Sequence, residues 1–326
     1  MSSSFAPRLR VSSYLSAWMP TGDETRQSVA GYFGGGTDGS RLSGIDKITF
    51  PADTKTTLSA TLTTARSTPA GMANSGVAGY FGGGSDSSSP LSGIDKITFP
   101  ADTKTTLSAT LTQATFALAA FANSSVAGYF AGGRNASSKF DNIDKITFPA
   151  DTKTTLAATL TAGTQYLAAM ADSGVAGYVG GGQTTAGIVS RIDKIAFPSD
   201  TKSTLAATLG GINNTLTACA DSGVAGYFTG GNDGNVVVYT SIDRLAFPAE
   251  TRTTISATLS IYRTDTAGGM ADIGVAGYFG GGNDGVSTKL SSIDRLAFPA
   301  ETRTTLSATL TTGRQDLAGM ADCGVF

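Results

Sequence analysis

Apolar and polar side chains alternate along short stretches of this chain, and the same stretches return at a near-constant interval. In residues 104–111 (KTTLSATL), Leu107, Ala109 and Leu111 alternate with polar partners, the period-two signal of a strand. In residues 94–99 (IDKITF), Ile97 and Phe99 share one face and Ile94 takes the other, so both faces carry apolar weight. That pattern suits a sheet lying between two others. Residues 77–84 (VAGYFGGG) read as a strand ending in a glycine run, and residues 69–75 (PAGMANS) as a small-residue strand. In chain order these four are strands a (69–75), b (77–84), c (94–99) and d (104–111). The Pro-Ala-Asp-Thr step after Phe99 reads as a turn, because Pro pre-sets its own φ and Asp can bond the backbone two residues on. No repeat offers a 3.6-residue apolar stripe, and Gly and β-branched residues are too frequent for helix.

Three markers set the organisation. A Gly-Tyr pair returns at Tyr32, Tyr80, Tyr129, Tyr178, Tyr227 and Tyr278, at spacings of 48, 49, 49, 49 and 51. Ile-Asp-(Lys/Arg) returns at Asp46, Asp95, Asp144, Asp193, Asp243 and Asp294, and Phe-Pro at Pro51, Pro100, Pro149, Pro198, Pro248 and Pro299. Four short strands per repeat fit a blade of a β-propeller. The expected fold is therefore all-β, a six-bladed propeller of four-stranded antiparallel blades. Strand a has no copy before Tyr32, and the missing copy stands at the C-terminus, Leu317-Ala318-Gly319-Met320-Ala321-Asp322. The C-terminal strand is expected to pair into the first blade and close the ring, leaving no open edge at the seam. Residues 28–326 then form the propeller and residues 1–27 an N-terminal arm, either a docking peptide or an extra strand on the outer edge of a blade. A seventh blade has only a d-like fragment at 15–18 to draw on.

These repeats resemble kelch-type repeats. Tyr80-Phe81-Gly82-Gly83 matches the double-glycine strand of that family, Phe99-Pro100 stands near its Tyr-Asp-Pro position, and Thr110-Leu111 near its Trp position. The kelch Trp is absent from every blade, so the likeness is to a divergent form. It covers residues 28–326 and implies a propeller used for protein interaction. The Gly-Tyr-Phe-Gly-Gly and Phe-Pro-x-Asp-Thr arrays also look like those of fibre or decoration proteins of tailed bacteriophages. That second likeness implies a structural or host-recognition role in a virion.

Composition narrows the chemistry. The chain of 326 residues has no His, which removes a Ser-His-Asp site, a Cys-His site and imidazole metal ligands. Two Cys are too few for a thiolate zinc site or a disulfide framework. Cys219 occupies the place of Met72, Phe121, Met170, Met270 and Met320, so it reads as a buried apolar thiol, and a bridge to Cys323 in another blade is not expected. No cofactor is expected. A net charge of −2, with no basic patch interleaved with aromatics, argues against nucleic acid as a partner. The N-terminus lacks a continuous apolar core of secretory length, and no run is long enough for a membrane span.

Each repeated feature has a structural reading beside a functional one. The glycine runs at 34–36, 82–84 and 180–182 could cradle phosphate, but no helix follows them, and tight strand endings explain them. The six repeated Asp could form a ring of acids. Neighbours along a strand point to opposite faces, so each Asp is expected instead to meet a basic residue or N–H groups of the adjoining sheet. Copper-oxidase chemistry on a kelch-type propeller would need His. A six-bladed sialidase would need repeated Trp-bearing boxes, and the chain has a single Trp.

Variation between repeats points to the binding face. The a–b and c–d links barely change, whereas the b–c loops (such as TDGSRLSG at 37–44 and NDGNVVVYTS at 232–241) and the d–a loops (such as GGINNT at 210–215 and SIYRTD at 260–265) change strongly. In a four-stranded meander the two variable loop sets emerge on one face, and loops on a rigid scaffold commonly carry function. Candidate ligand-binding residues are Arg66, Phe116, Arg134, Asn135, Gln165, Tyr166, Asn213, Asn214, Tyr239, Tyr262, Arg263, Arg314 and Gln315; aromatics beside Asn, Gln and Arg suit a sugar or a protein edge. Changing Tyr262 and Arg263 together is expected to abolish binding at unchanged stability. In the arm, Arg8, Arg10, Tyr14 and Trp18 are candidates for docking into an assembly. The expected protein is a non-enzymatic module on a virion surface or tail, holding other virion proteins by its arm and a glycan or protein receptor by its loops. The alternatives are a cytoplasmic kelch-type interaction scaffold and a glycan-active propeller enzyme.

Overall fold

The computed structural model describes residues 30–235 and 237–322. They form six four-stranded antiparallel sheets and no helix. In blade two, strands a to d are Ala70–Asn74, Ala78–Gly82, Ile94–Thr98 and Thr103–Thr106. The closing strand Ala318–Asp322 pairs antiparallel with Ala30–Gly34, with Tyr32 opposite Met320, so the first blade takes its inner strand from the end of the chain. The ring therefore closes by strand pairing, as the position of the last repeat fragment implied. Residues 1–29, with Arg8, Arg10, Tyr14 and Trp18, and residues 323–326, with Cys323, lie outside the described residues.

Strand d departs from the pattern read in the sequence. In blades one, two, three and six its ladder stops early, after Thr57, Thr106, Thr155 and Thr305. In blades four and five it continues to Thr208 and Thr258, across a register shift against strand c. The shift exists in every blade: Asp95 lies opposite Thr106 and Leu107 N–H donates in register to Ile94 O, but Leu111 N–H donates to Ser92 O, two residues out of register. The outer strand carries extra residues there and bows outward. Its alternation survives, because Leu111 stays buried while Thr110 is exposed.

The core lies in the seams between blades. Strand b is buried along its whole length in each blade. Tyr80 faces forward and stacks on Phe148 of blade three, ring centroids 5.2 Å apart. Phe81 faces back into the cluster with Tyr32, Ile97 and Phe99. Strand c divides the same way, with Ile94 in the forward cluster and Ile97 in the backward one. Cys219 is buried in the place where other blades have Met or Phe, against the backbone of Gly277.

Two ionic sets hold each seam, and they explain why Asp and Lys adjoin in the sequence. Asp95 faces back and accepts from Thr63 N at 2.9 Å, Thr63 Oγ1 at 2.6 Å and Arg66 Nη2 at 3.0 Å, all in blade one. Lys96, on the opposite side of the strand, donates forward to Asp151 in the c–d turn of blade three at 2.7 Å, and Tyr80 Oη donates to the same carboxylate at 2.8 Å. The expected Asp contact with a neighbouring sheet is therefore present. The turn carboxylate has a second partner set that sequence reading did not anticipate.

Candidate functional site

The d–a and b–c loops meet on one face, around the propeller axis. The residue after each double glycine bridges to a d–a loop residue of the preceding blade. The bridged pairs are Thr37 with Gln315, Ser85 with Ser67, Arg134 with Phe116, Gln183 with Gln165, Asn232 with Asn214, and Asn283 with Thr264. The double glycine makes this approach possible. Gly83 and Gly84 have φ of +66° and +93°, and a Cβ on either would lie within 2.8 Å of a d–a carbonyl oxygen.

Inside this belt the d–a loops form a second ring. Thr68 N donates to Asp316 O at 2.7 Å, Ala117 N to Thr68 O, Tyr166 N to Ala117 O, Thr215 N to Tyr166 O, Thr266 N to Thr215 O, and Asp316 N to Asp265 O at 2.8 Å. The hydrogen bonds pass from blade to blade around the axis. Every residue of this ring has positive φ, between 46° and 57°, an uncommon conformation for side chains other than Asn, Asp and Gly. Belt side chains reach inward to the ring: Asn232 Nδ2 donates to Thr215 Oγ1 at 3.0 Å and Gln315 Nε2 to Asp265 Oδ2 at 3.2 Å. Directly below lie Pro69, Leu118, Leu167, Leu216, Ala267 and Leu317, which line a cavity of about 70 Å³. The channel then narrows at Gly71, Ala120, Ala169, Ala218, Gly269 and Gly319, where a Cβ on Gly71 would stand 2.7 Å from Gly319 O.

The rim is acidic. Burial raises the Asp316 carboxyl to about 7, and the nearby Asp265 charge adds to the shift. Burial also raises Asp265. The Tyr166 phenol is raised by burial and then by the field of Asp316. Sequence reading missed both acids. The signal available was a carboxylate near the d–a loop Arg in the last two repeats alone.

The structure sorts the sequence-derived candidates into three groups. Arg66, Arg263 and Arg314 are 2%, 1% and 3% exposed, so their place on a solvent-facing surface is corrected. Each crosses the seam: Arg66 reaches Asp95, Arg263 reaches Asp294 and Arg314 reaches Asp46. Burying a guanidinium requires such a carboxylate and carbonyl partners. Asn213 stands in for the arginine, donating to Gly230 O at 2.7 Å as Arg66 Nη1 donates to Gly83 O at 2.9 Å. The second group is the rim and belt. Tyr166 and Gln315 are there, Gln165 is paired with Gln183, Asn214 is buried, and the Arg134 guanidinium lies 5.5 Å from the Phe116 ring centroid. Asn135 caps its own loop by accepting from the Ser137 and Ser138 amides, as Asp86 does in blade two. The third group is outlying: Tyr262 is 45% exposed, and Tyr239 Oη reaches Ile212 O at 3.4 Å. Tyr262, Ile212, Val237, Ile261 and Val286 are exposed on this face in blades four to six, where blades one to three expose no large apolar side chain among the described residues; the exposed Val77 and Val126 stand in the a–b links of the opposite face.

Among the described residues no three His, Cys, Asp or Glu are placed to hold a metal, and no helix is long and apolar enough to cross a membrane. No family model and no curated protein matches the chain. The propeller fold fits a protein-interaction or binding module, as the kelch-type likeness implied.

Proposed function

We propose that the chain is a non-enzymatic structural or host-recognition module of a virion, displayed on a particle surface or tail. It binds a glycan or protein receptor through the variable face, and residues 1–27 attach it to other virion proteins. The observation that carries the reading is the concentration of loop variety on one face of an otherwise repeated disc. Every d–a loop makes the same backbone bridge to its neighbour, so its side chains vary without opening the ring. The apolar surface around Tyr239 and Tyr262 supports a contact role for that face.

A second reading has one specific observation in its favour. Two adjoining carboxyls, one raised to about 7, resemble the acid arrangement of glycan-cleaving sites. Incubation with a panel of glycans separates the two readings: the binding reading expects retention on an array without product, and product formation would replace it with the enzymatic one. For the virion assignment, mass spectrometry of purified particles should find the chain in fixed proportion to the major structural proteins. Recovery from cell extract alone would discard it in favour of a cellular scaffold.

A further inference from the structure

We propose that the channel mouth on the variable face is a site for a cationic nitrogen group, an alkylammonium or guanidinium, held at Asp265 and Asp316 beside Tyr166. This rests on the reading of the variable face as the binding face and names the chemistry recognised there. Acceptors dominate the rim. Asp265 accepts from the Gln315 amide at 3.2 Å and from the Thr264 hydroxyl, the Gln315 amide also serves Asp316, and neither acid has an ion-pair partner among the described residues.

A second observation is independent of the acids. Gln165 Oε1, Asn214 Oδ1 and Thr68 Oγ1 are buried without a hydrogen-bond partner, on residues 3%, 7% and 5% exposed. Gln165 and Asn214 belong to the belt, and Thr68, in the ring itself, donates its N–H to Asp316 O. Thr266 Oγ1, next to Asp265, is unpartnered too. Such orphaned oxygens are rare in folded proteins, and the two amide oxygens, which can only accept, mark places where a donor belongs. An ammonium offers three N–H donors and a guanidinium five, spread over directions that scattered acceptors can share. A hard divalent cation needs more oxygen ligands in one shell than two carboxylates supply. The apolar floor of Leu118, Leu167, Leu216 and Leu317 stops a charged head at the rim.

Binding a cation favours ionised Asp316, so affinity rises as pH passes upward through about 7. The groups facing it are Asp265, Tyr166 and the cations Arg41, Lys289 and Arg134, whose fields reach Asp316 or Tyr166 without closing on either.

The test is calorimetric titration of the full chain with N-acetyl-lysine methylamide, N-acetyl-arginine methylamide, putrescine and calcium chloride, at pH 8 and pH 6. We expect saturable binding of an amine at pH 8 and several-fold weaker binding at pH 6. Asp265→Asn with Asp316→Asn should weaken it about tenfold or more, the worth of a charged hydrogen bond, with the melting temperature not lowered. The pH comparison on the unmodified chain decides the matter if that double variant does not fold. Response to the capped amino acids assigns a partner's side chains as the source, and response to putrescine alone a free polyamine. Saturation by calcium and by no amine overturns the proposal, as does amine binding indifferent to pH or to the double substitution. A receptor that is retained, lost in Tyr262→Ala, yet unaffected by the two Asp→Asn changes would keep the face and overturn the cation site.

Discussion

On the uniform face each blade joins the next through the same three groups, a phenol, a cation and a turn carboxylate; on the variable face the join is a backbone bridge flanked by different side chains at every seam. Tyr32 and Lys47 meet Asp102, Tyr129 and Lys145 meet Asp200, and Tyr278 and Arg295 meet Asp53. Where the carboxylate is Glu the set persists, as Tyr178 and Lys194 with Glu250 and as Tyr227 and Arg244 with Glu301. The first join depends on side-chain identity and therefore repeats. The second uses main-chain N–H and C=O groups, which every residue but Pro supplies. Side chains can then change at the loop face without loss of closure, and repeat-to-repeat variety gathers there.

The comparison breaks most visibly if a loop-face residue proves to be part of the scaffold, and Arg263 is such a residue. Its side chain and that of Asp294 are both 0% exposed. Asp294→Ala leaves a buried guanidinium with only carbonyl and hydroxyl partners. Unfolding by urea should show a loss of about 3–5 kcal/mol. Changing Tyr262 and Arg263 together, which the sequence pattern expects to leave stability unchanged, lowers it for the same reason. A loss below about 1 kcal/mol would mean that the seam hydrates once opened.

The next effect separates the faces by pH. Burial and Asp265 hold Asp316 near 7 in the folded chain, above its unfolded value. Between those values the native state binds more protons than the unfolded one, so stability is greatest at the acid side and falls as pH rises toward about 7. After allowance for solvent screening the decline is roughly 1–3 kcal/mol, and Asp316→Asn should flatten it. The seam acids act oppositely. Burial alone would raise Asp46 and Asp193, but the Thr311 and Thr161 amides and hydroxyls, with Arg314 and Lys202, bring both below the usual range. Their stabilisation is present above the unfolded carboxylate range and is lost as pH falls below it. A urea midpoint measured from pH 3 to 8 should therefore pass through a maximum.

How much of this was legible in the sequence follows from what repeats. Strand order, blade count and closure were readable because Tyr80, Asp95 and Pro100 recur in order, and the a-strand fragment ending at Asp322 sits where the first blade lacks one. The burial of Arg66, Arg263 and Arg314 was not, because only three of six d–a loops carry the residue. Arg191 of strand c bonds Thr164 and approaches Asp193 instead, supplying the guanidinium from another element at the seam between blades three and four. Asp265 and Asp316 become neighbours only when the last two loops meet at the axis. Linear spacing does not encode that meeting.

A smaller effect tests the uniform face. Tyr129→Phe removes the 2.7 Å donation to Asp200 but leaves Lys145 on the other carboxylate oxygen at 2.6 Å. The ring keeps its stacking on Phe121 and Phe197. The expected loss is about 0.5–1.5 kcal/mol, the net worth of one hydrogen bond. Equal losses for Tyr80→Phe and Tyr278→Phe would confirm that this join works alike at each seam.

The smallest effect on stability belongs to Tyr262→Ala, and it carries the sharpest contrast. The side chain is 45% exposed on a loop whose backbone closure runs through Thr264 and Asn283 instead. Removing it should change unfolding free energy by no more than about 0.5 kcal/mol. If the variable face recognises its receptor through this apolar sector, the same change lowers retention on the receptor strongly, as loss of an aromatic anchor does. Tyr239 is the control within the sector, because its hydroxyl reaches Ile212 O at 3.4 Å, at the edge of hydrogen-bonding range. Tyr239→Phe should therefore leave both stability and retention near the parent values, while Tyr239→Ala should act like Tyr262→Ala. A destabilisation above about 1 kcal/mol for Tyr262→Ala would place this loop with the scaffold and remove the contrast between the two faces.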